Sequence, residues 1–250
     1  MIKLQAKMYT VNKICTFLVV VLIYAQGFAQ NGFSTANSTF KDFGQYSMHP
    51  LTTGSSGVNA FNGYDNNTKG RRYYFDNWVK GSVISNTGNE INSTDYFFNF
   101  DKVTNNLLVT KDKKEIVEVN KESLKEIHFN DKGIDYDFII VEKITPDKFV
   151  EVLVKNDKVS LYKTINTHFV KANYTTNGLT ETGNAYDEYV DAPAYYISYK
   201  GDLRPVIMKF KSIKSGLKEE SKKVNDFYAD HMNDEVDESY LKNIVFFVNQ

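Results

Sequence analysis

The chain has 250 residues, 30 lysines and arginines against 31 aspartates and glutamates, and a single cysteine. Arginine occurs only at Arg71, Arg72 and Arg204 and no basic stripe is present, which excludes the concentrated positive surface of a nucleic-acid binder. A chain of this length buries roughly 70% of the surface it exposes when unfolded, so an ordinary core can hold it without staples.

At the N-terminus, Lys3, Lys7 and Lys13 precede an apolar run over residues 14–25, with no acidic residue before Asp42. That run is shorter than the ~20 residues of a spanning helix and has the length of a signal-peptide core. Gly27 and Ala29 supply the small residues of a cleavage site, so residues 1–29 are expected to be a signal peptide cut after Ala29. No stable membrane anchor remains after such a cut. Cys15 lies at the start of the apolar run, whereas a lipid-bearing cysteine must lie at its end, so lipidation is not expected. The mature chain then has no thiol, and therefore no disulfide, thiolate metal ligand or cysteine nucleophile.

Residues 30–72 read as a flexible leader. They are rich in Gly, Ser and Asn, and their aromatics follow neither a strand nor a helix period, so little apolar surface offsets the ordering entropy. Short pieces of the leader are expected to dock on the body. The body, residues 73–210, reads as strands. Residues 78–84 alternate and stop at Asn86-Thr87-Gly88-Asn89, and residues 95–101 carry Tyr96, Phe97 and Phe98. Residues 107–110 and 116–119 form a hairpin, and residues 120–123 a helical turn. Strands follow at 124–129, 137–142, 149–155 and 159–162, with a turn at Thr145-Pro146-Asp147. Residues 173–187 read as a long loop, and 194–200 with 203–210 as a hairpin turned at Gly201-Asp202. Over residues 211–250 the period becomes helical, with Val224, Phe227 and Tyr228 on one stripe and Leu241, Ile244, Val245 and Val248 on another. Ser221 and Asp237 are expected N-caps. The expected fold is mainly β, an antiparallel meander, sandwich or open barrel, with a small helical segment at the C-terminus packed on it.

Motifs for chemistry are absent from the sequence: it has no G-x-S-x-G, phosphate loop, dinucleotide fingerprint or H-E-x-x-H. His49, His128, His168 and His231 stand alone in their stretches, and neither acidic stretch, 187–191 or 234–238, follows a calcium-loop pattern. No cofactor or metal is expected, and catalysis is the disfavoured reading. Within Phe149-Val150-Glu151-Val152-Leu153-Val154, alternation puts Glu151 on the side of Phe149 and Leu153. A buried Glu151 would be a candidate acid, and an edge strand would make it a charge that discourages pairing. The edge or paired-surface reading is favoured, because one glutamate without a partner makes no mechanism. Tyr195-Tyr196 with Tyr199, plus Tyr73-Tyr74 and Trp78, could present flat faces to sugar rings, yet tyrosine equally suits a half-buried strand face.

Trp78-Val79-Lys80-Gly81-Ser82-Val83, the meander over 101–119, Phe149-Val150-Glu151-Val152-Leu153-Val154 and Val159-Ser160-Leu161-Tyr162-Lys163 follow one another in an order that resembles a class of exported, periplasmic or envelope proteins of Bacteroidota. Tyr195-Tyr196, the lysine-rich 209–218 and a last helix ending near Asn249 extend the resemblance over residues 77–250. It implies an envelope location and a common fold but carries no activity. Three functional readings follow: an exported, non-catalytic protein, periplasmic or at the cell surface, that contacts an envelope protein partner; a glycan- or lipid-binding β module using the tyrosines; and a hydrolase using Glu151 with a second carboxylate. An exposed tyrosine row would favour the second, and a cleft with Glu151 beside another carboxylate the third.

Overall fold

The computed structural model describes Phe43, Met48–Pro50 and residues 68–250. Two compact units divide the chain, Met1–Gly44 and Gln45–Gln250. Of the first only Phe43 is described, and the following concerns the second; the expected signal peptide lies outside the described residues.

The strands, in chain order, are β1 (Met48–Pro50), β2 (Thr68–Lys69), β3 (Lys80–Ser85), β4 (Glu90–Ile91), β5 (Phe97–Asp101), β6 (Asn106–Thr110), β7 (Ile116–Val119), β8 (Leu124–Asp131) and β9 (Ile134–Ile140). They continue with β10 (Phe149–Val154), β11 (Val159–Thr164), β12 (Thr167–Val170), β13 (Thr175–Thr176), β14 (Glu181–Thr182), β15 (Asp187–Asp191), β16 (Ala194–Tyr199) and β17 (Asp202–Val206). Helices α1 (Phe210–Gly216), α2 (Ser221–Asp230) and α3 (Glu238–Asn249) close the chain. Among the described residues the protein is mostly β, with antiparallel sheets, a small C-terminal helical segment and no closed barrel.

An eight-stranded sheet of order β17-β16-β11-β10-β9-β8-β3-β4 is the frame, and a four-stranded sheet of order β1-β7-β6-β5 accompanies it. A row of directly opposed residues crosses the frame: Val83, Ile127, Phe138, Glu151, Lys163, Tyr195 and Val206. Opposed residues share a face, so this row is apolar at both ends and polar in the middle. At one end, Phe100 of β5 meets the frame's Phe138 and Phe149, at 4.9 and 6.4 Å between centroids, and Phe138 also packs on Phe129. At the other, Leu161, Ile197 and Val206 are covered by Ile213, Leu217, Val224, Phe227, Leu241, Ile244, Val245 and Val248 of the helical segment. Two apolar cores thus sit side by side on one face, and the polar residues of the row mark the seam.

Several expectations shift, although short pieces of the stretch read as a leader do dock on the body: β1 pairs with β7 and β2 runs parallel to β15. These contacts use backbone groups, which a polar sequence supplies as well as an apolar one. The last hairpin turns at Lys200-Gly201, both at positive φ (48° and 85°), the geometry a two-residue loop requires. Phe210 begins α1 instead of ending a strand, because β17 stops at Val206 and the Ser212 hydroxyl accepts from the Ile207 amide (3.1 Å). The polar stretch 173–187 contains the small β13–β14 pair. Asp237 caps α3 by accepting from the Tyr240 amide (2.8 Å). Ser221 is not a cap: a 3-10 turn, Lys218–Glu220, runs straight into α2, and its hydroxyl donates to the Lys218 carbonyl.

Candidate functional site

The seam opens into a cleft of about 410 Å³ whose lining includes Arg71, Tyr74, Lys102, Asp131, Tyr136, Lys163, Asp191 and Tyr195. Its first wall, residues 71–76, has no regular structure and is held by Asn99 of β5. The Asn99 carboxamide accepts from the amides of Phe75 (3.2 Å) and Phe100 (2.7 Å) and donates to the Phe75 carbonyl (2.9 Å). The fully buried Asn99 thereby fixes Tyr74 and Phe75 over the frame. A second wall is the turn end of the β8–β9 hairpin, carrying Asp131 and Tyr136. The floor is Lys163 of β11 and Tyr195 of β16.

Beneath the floor, Lys163 Nζ lies 3.2 Å from Glu151 Oε2 and 3.0 Å from Glu238 Oε2, and the Tyr195 hydroxyl donates to Glu238 (2.8 Å). The Glu151 contact is off the line of a hydrogen bond, so it is ionic in character. Burial pulls the Lys163 ammonium down, but the two glutamates outweigh it and its pKa ends above the usual lysine value. Burial, reinforced by Glu151, raises the Tyr74 phenol, and burial with the Glu238 hydrogen bond raises that of Tyr195. Both remain neutral donors at ordinary pH. At the rim, the buried Lys102 donates to both oxygens of Asp191 (2.8 and 2.7 Å), and Thr167 also donates to Asp191. Arg71 pairs with Asp76.

Glu151 is only 5% exposed and β10 lies inside the eight-stranded frame, so the edge-strand reading is corrected. Its neighbours are a lysine and a second carboxylate, both arriving from distant sequence. Tyr195 is brought to the cleft. Tyr199 shares its face but donates to Glu220 (3.2 Å) against the helices. Tyr196 lies on the opposite face, opposed to Tyr162, and Trp78 is half-buried just ahead of β3. The sequence-selected aromatics therefore form no single platform. Tyr74, which the sequence singled out with Tyr73, takes that place together with Tyr136 and Asp131, which sequence reading missed. Their signal was weak: Asp131 precedes the Lys132-Gly133 turn, and hairpin ends commonly face a ligand.

A second concavity, about 480 Å³, lies on the frame's other face and is lined in part by Ser82, His128 and Asp137. These three are directly opposed on β3, β8 and β9, and His128 Nδ1 lies 2.7 Å from Asp137 Oδ1. His128 Nε2, however, lies 3.8 Å from Glu126, and no serine–histidine hydrogen bond forms among the described residues. The arrangement is thus not an activated nucleophile. No group of histidines and carboxylates suited to a metal occurs among the described residues, and no helix there is long and apolar enough to cross a membrane. Comparison of the chain with known protein families, curated proteins and solved structures finds no match.

Proposed function

We propose that this chain is an exported envelope protein that acts by binding and not by catalysis, and that it binds a small polar ligand in the seam cleft. One observation carries the reading: Lys163 occupies the gap between Glu151 and Glu238. A carboxylate pair working on a substrate needs that gap for the reacting atom or for water. Filled by an ammonium, it becomes a rigid floor whose charges are already matched, and rigid polar surfaces suit recognition. The cleft's volume falls within the ~300–1,000 Å³ of small-molecule sites, too small for the broad patch of a protein interface.

Hydrogen exchange tests this. The chain is incubated with the low-molecular-mass fraction of a Bacteroidota envelope digest. Slowed exchange confined to residues 71–76, 131–136 and 191–195 is the expected result. Slowing elsewhere, or none, overturns the reading, and so does release of cleaved product that stops in Glu151→Gln.

A further inference from the structure

We infer that the ligand of the seam cleft is an uncharged saccharide, held chiefly by Asp131 and Tyr136; this rests on the binding reading above. The argument begins with which groups are already engaged. Among the cations of the lining, Arg71 is matched by Asp76, Lys102 by Asp191, and Lys163 by Glu151 and Glu238. An anionic ligand would have to separate one of these pairs and would face the carboxylates behind them. A cationic ligand could reach one unmatched carboxylate, Asp131, but only in a cleft that Arg71, Lys102 and Lys163 also line, so like charges oppose it. Lys102 and Lys163 are largely buried, and separating either from its partners strands a charge and is costly.

A hydroxyl has no such conflict. It accepts from the N–H groups that the ion pairs leave unused, and it donates to carboxylate lone pairs that remain open. A polyol does both at once on neighbouring atoms, which suits a lining of interleaved donors and acceptors.

The anchor is the one lining carboxylate left over. The Asp131 carboxylate makes no ion pair or hydrogen bond among the described residues, and neither does the hydroxyl of Tyr136. Asp131 and Tyr136 lie on the same face of the β8–β9 hairpin, two pairs apart along the register Phe129–Tyr136, Asn130–Asp135, Asp131–Ile134. The carboxylate can accept from two vicinal hydroxyls while the phenol donates to a third oxygen. The Tyr136 ring is braced edge-on by Tyr74 and Phe75, at 5.7 and 5.3 Å between centroids. It is therefore a fixed surface, and ligand binding costs little of its side-chain entropy. Charged groups elsewhere on the cleft position and exclude; this pair recognises.

A glycan array is the test, printed with neutral, uronate-bearing and amine-bearing saccharides and probed with the chain and with Asp131→Asn and Tyr136→Phe. Both substitutions sit near the turn of the β8–β9 hairpin, and unchanged melting curves establish that the variants are folded. Retention of neutral glycans, weakened at least tenfold in each variant, supports the inference. Preference for charged glycans overturns it, as does equal retention by the variants. An array that retains nothing also overturns it; the hydrogen-exchange result then decides separately whether the cleft binds some other polar ligand.

Discussion

Lys163 bridges two glutamates in the seam, and its energetics follow from that. It is 18% exposed at the side chain and sits against two glutamates, one of them 6% exposed. Removing one member of a buried pair costs far more than the pair is worth, because the survivor is left as an unmatched charge. Lys163→Met is therefore expected to destabilise the fold by about 3 kcal/mol. Adding Glu151→Gln to it should recover part of that loss, since a neutral amide tolerates the lysine's absence. Urea unfolding of the two single variants and the double variant measures the coupling. A double variant whose loss equals the sum of the singles would mean that the two side chains do not interact. The sequence hinted at half of this pair. It placed Glu151 on the side of the strand shared with Phe149, which is where it lies. It gave no sign of Lys163 or Glu238, since cross-strand and helix-to-sheet neighbours have no fixed spacing along a chain.

At the scale of elements, most strands were legible because alternation and turn chemistry are local. The β6–β7 hairpin and the capped start of α3 are such cases, where a period of two or a single aspartate reports the geometry directly. The reading of β17 ran past its end because Ile207 and Met208 continue an apolar pattern. What stops the strand is a turn at Lys209, whose carbonyl accepts from the Ile213 amide (3.1 Å) and begins α1. Gly81 carries an element-scale prediction. A Cβ placed there would meet the His128 carbonyl oxygen at 2.1 Å, which is backbone of the neighbouring strand and cannot swing aside. Gly81→Ala should push β3 away from β8 at a cost of about 3 kcal/mol, the upper end for overpacking. Thermal unfolding reads the loss, and a melting point equal to the parent's would contradict the close approach.

For the whole molecule, the seam contributes to how stability responds to pH at both extremes. Asp191 is pushed up by burial but held below its ordinary 3.8 by Lys102 and Thr167. A lowered folded pKa gives stability that is full above that ordinary value and drains as pH falls through the folded one. Lys163 titrates above its ordinary 10.5, and Tyr74 and Tyr195 above their ordinary 10.0. Raised values have the opposite consequence: their stability is complete below the ordinary pKa and is lost as pH rises through the folded one. The urea midpoint should therefore show a plateau with an acid limb below 3.8 and an alkaline limb above 10.0. In Lys163→Met the alkaline limb should shrink. A midpoint that climbs with pH above the plateau would reverse the sign argued for these groups.

The sequence by itself determined the class of fold, most strand positions, the capped final helix and the absence of a linear catalytic motif. These depend on periods, turns and caps that act over a few residues. Only the tertiary structure decided that Glu151 is interior, that Tyr195 and Tyr196 part to opposite faces, and that Asp131 and Tyr136 meet Lys163 at one cleft. Those facts arise where two apolar cores abut on a single sheet face. Which polar residues fill such a seam depends on strand order and on a helix returning from the end of the chain, and no local pattern encodes either.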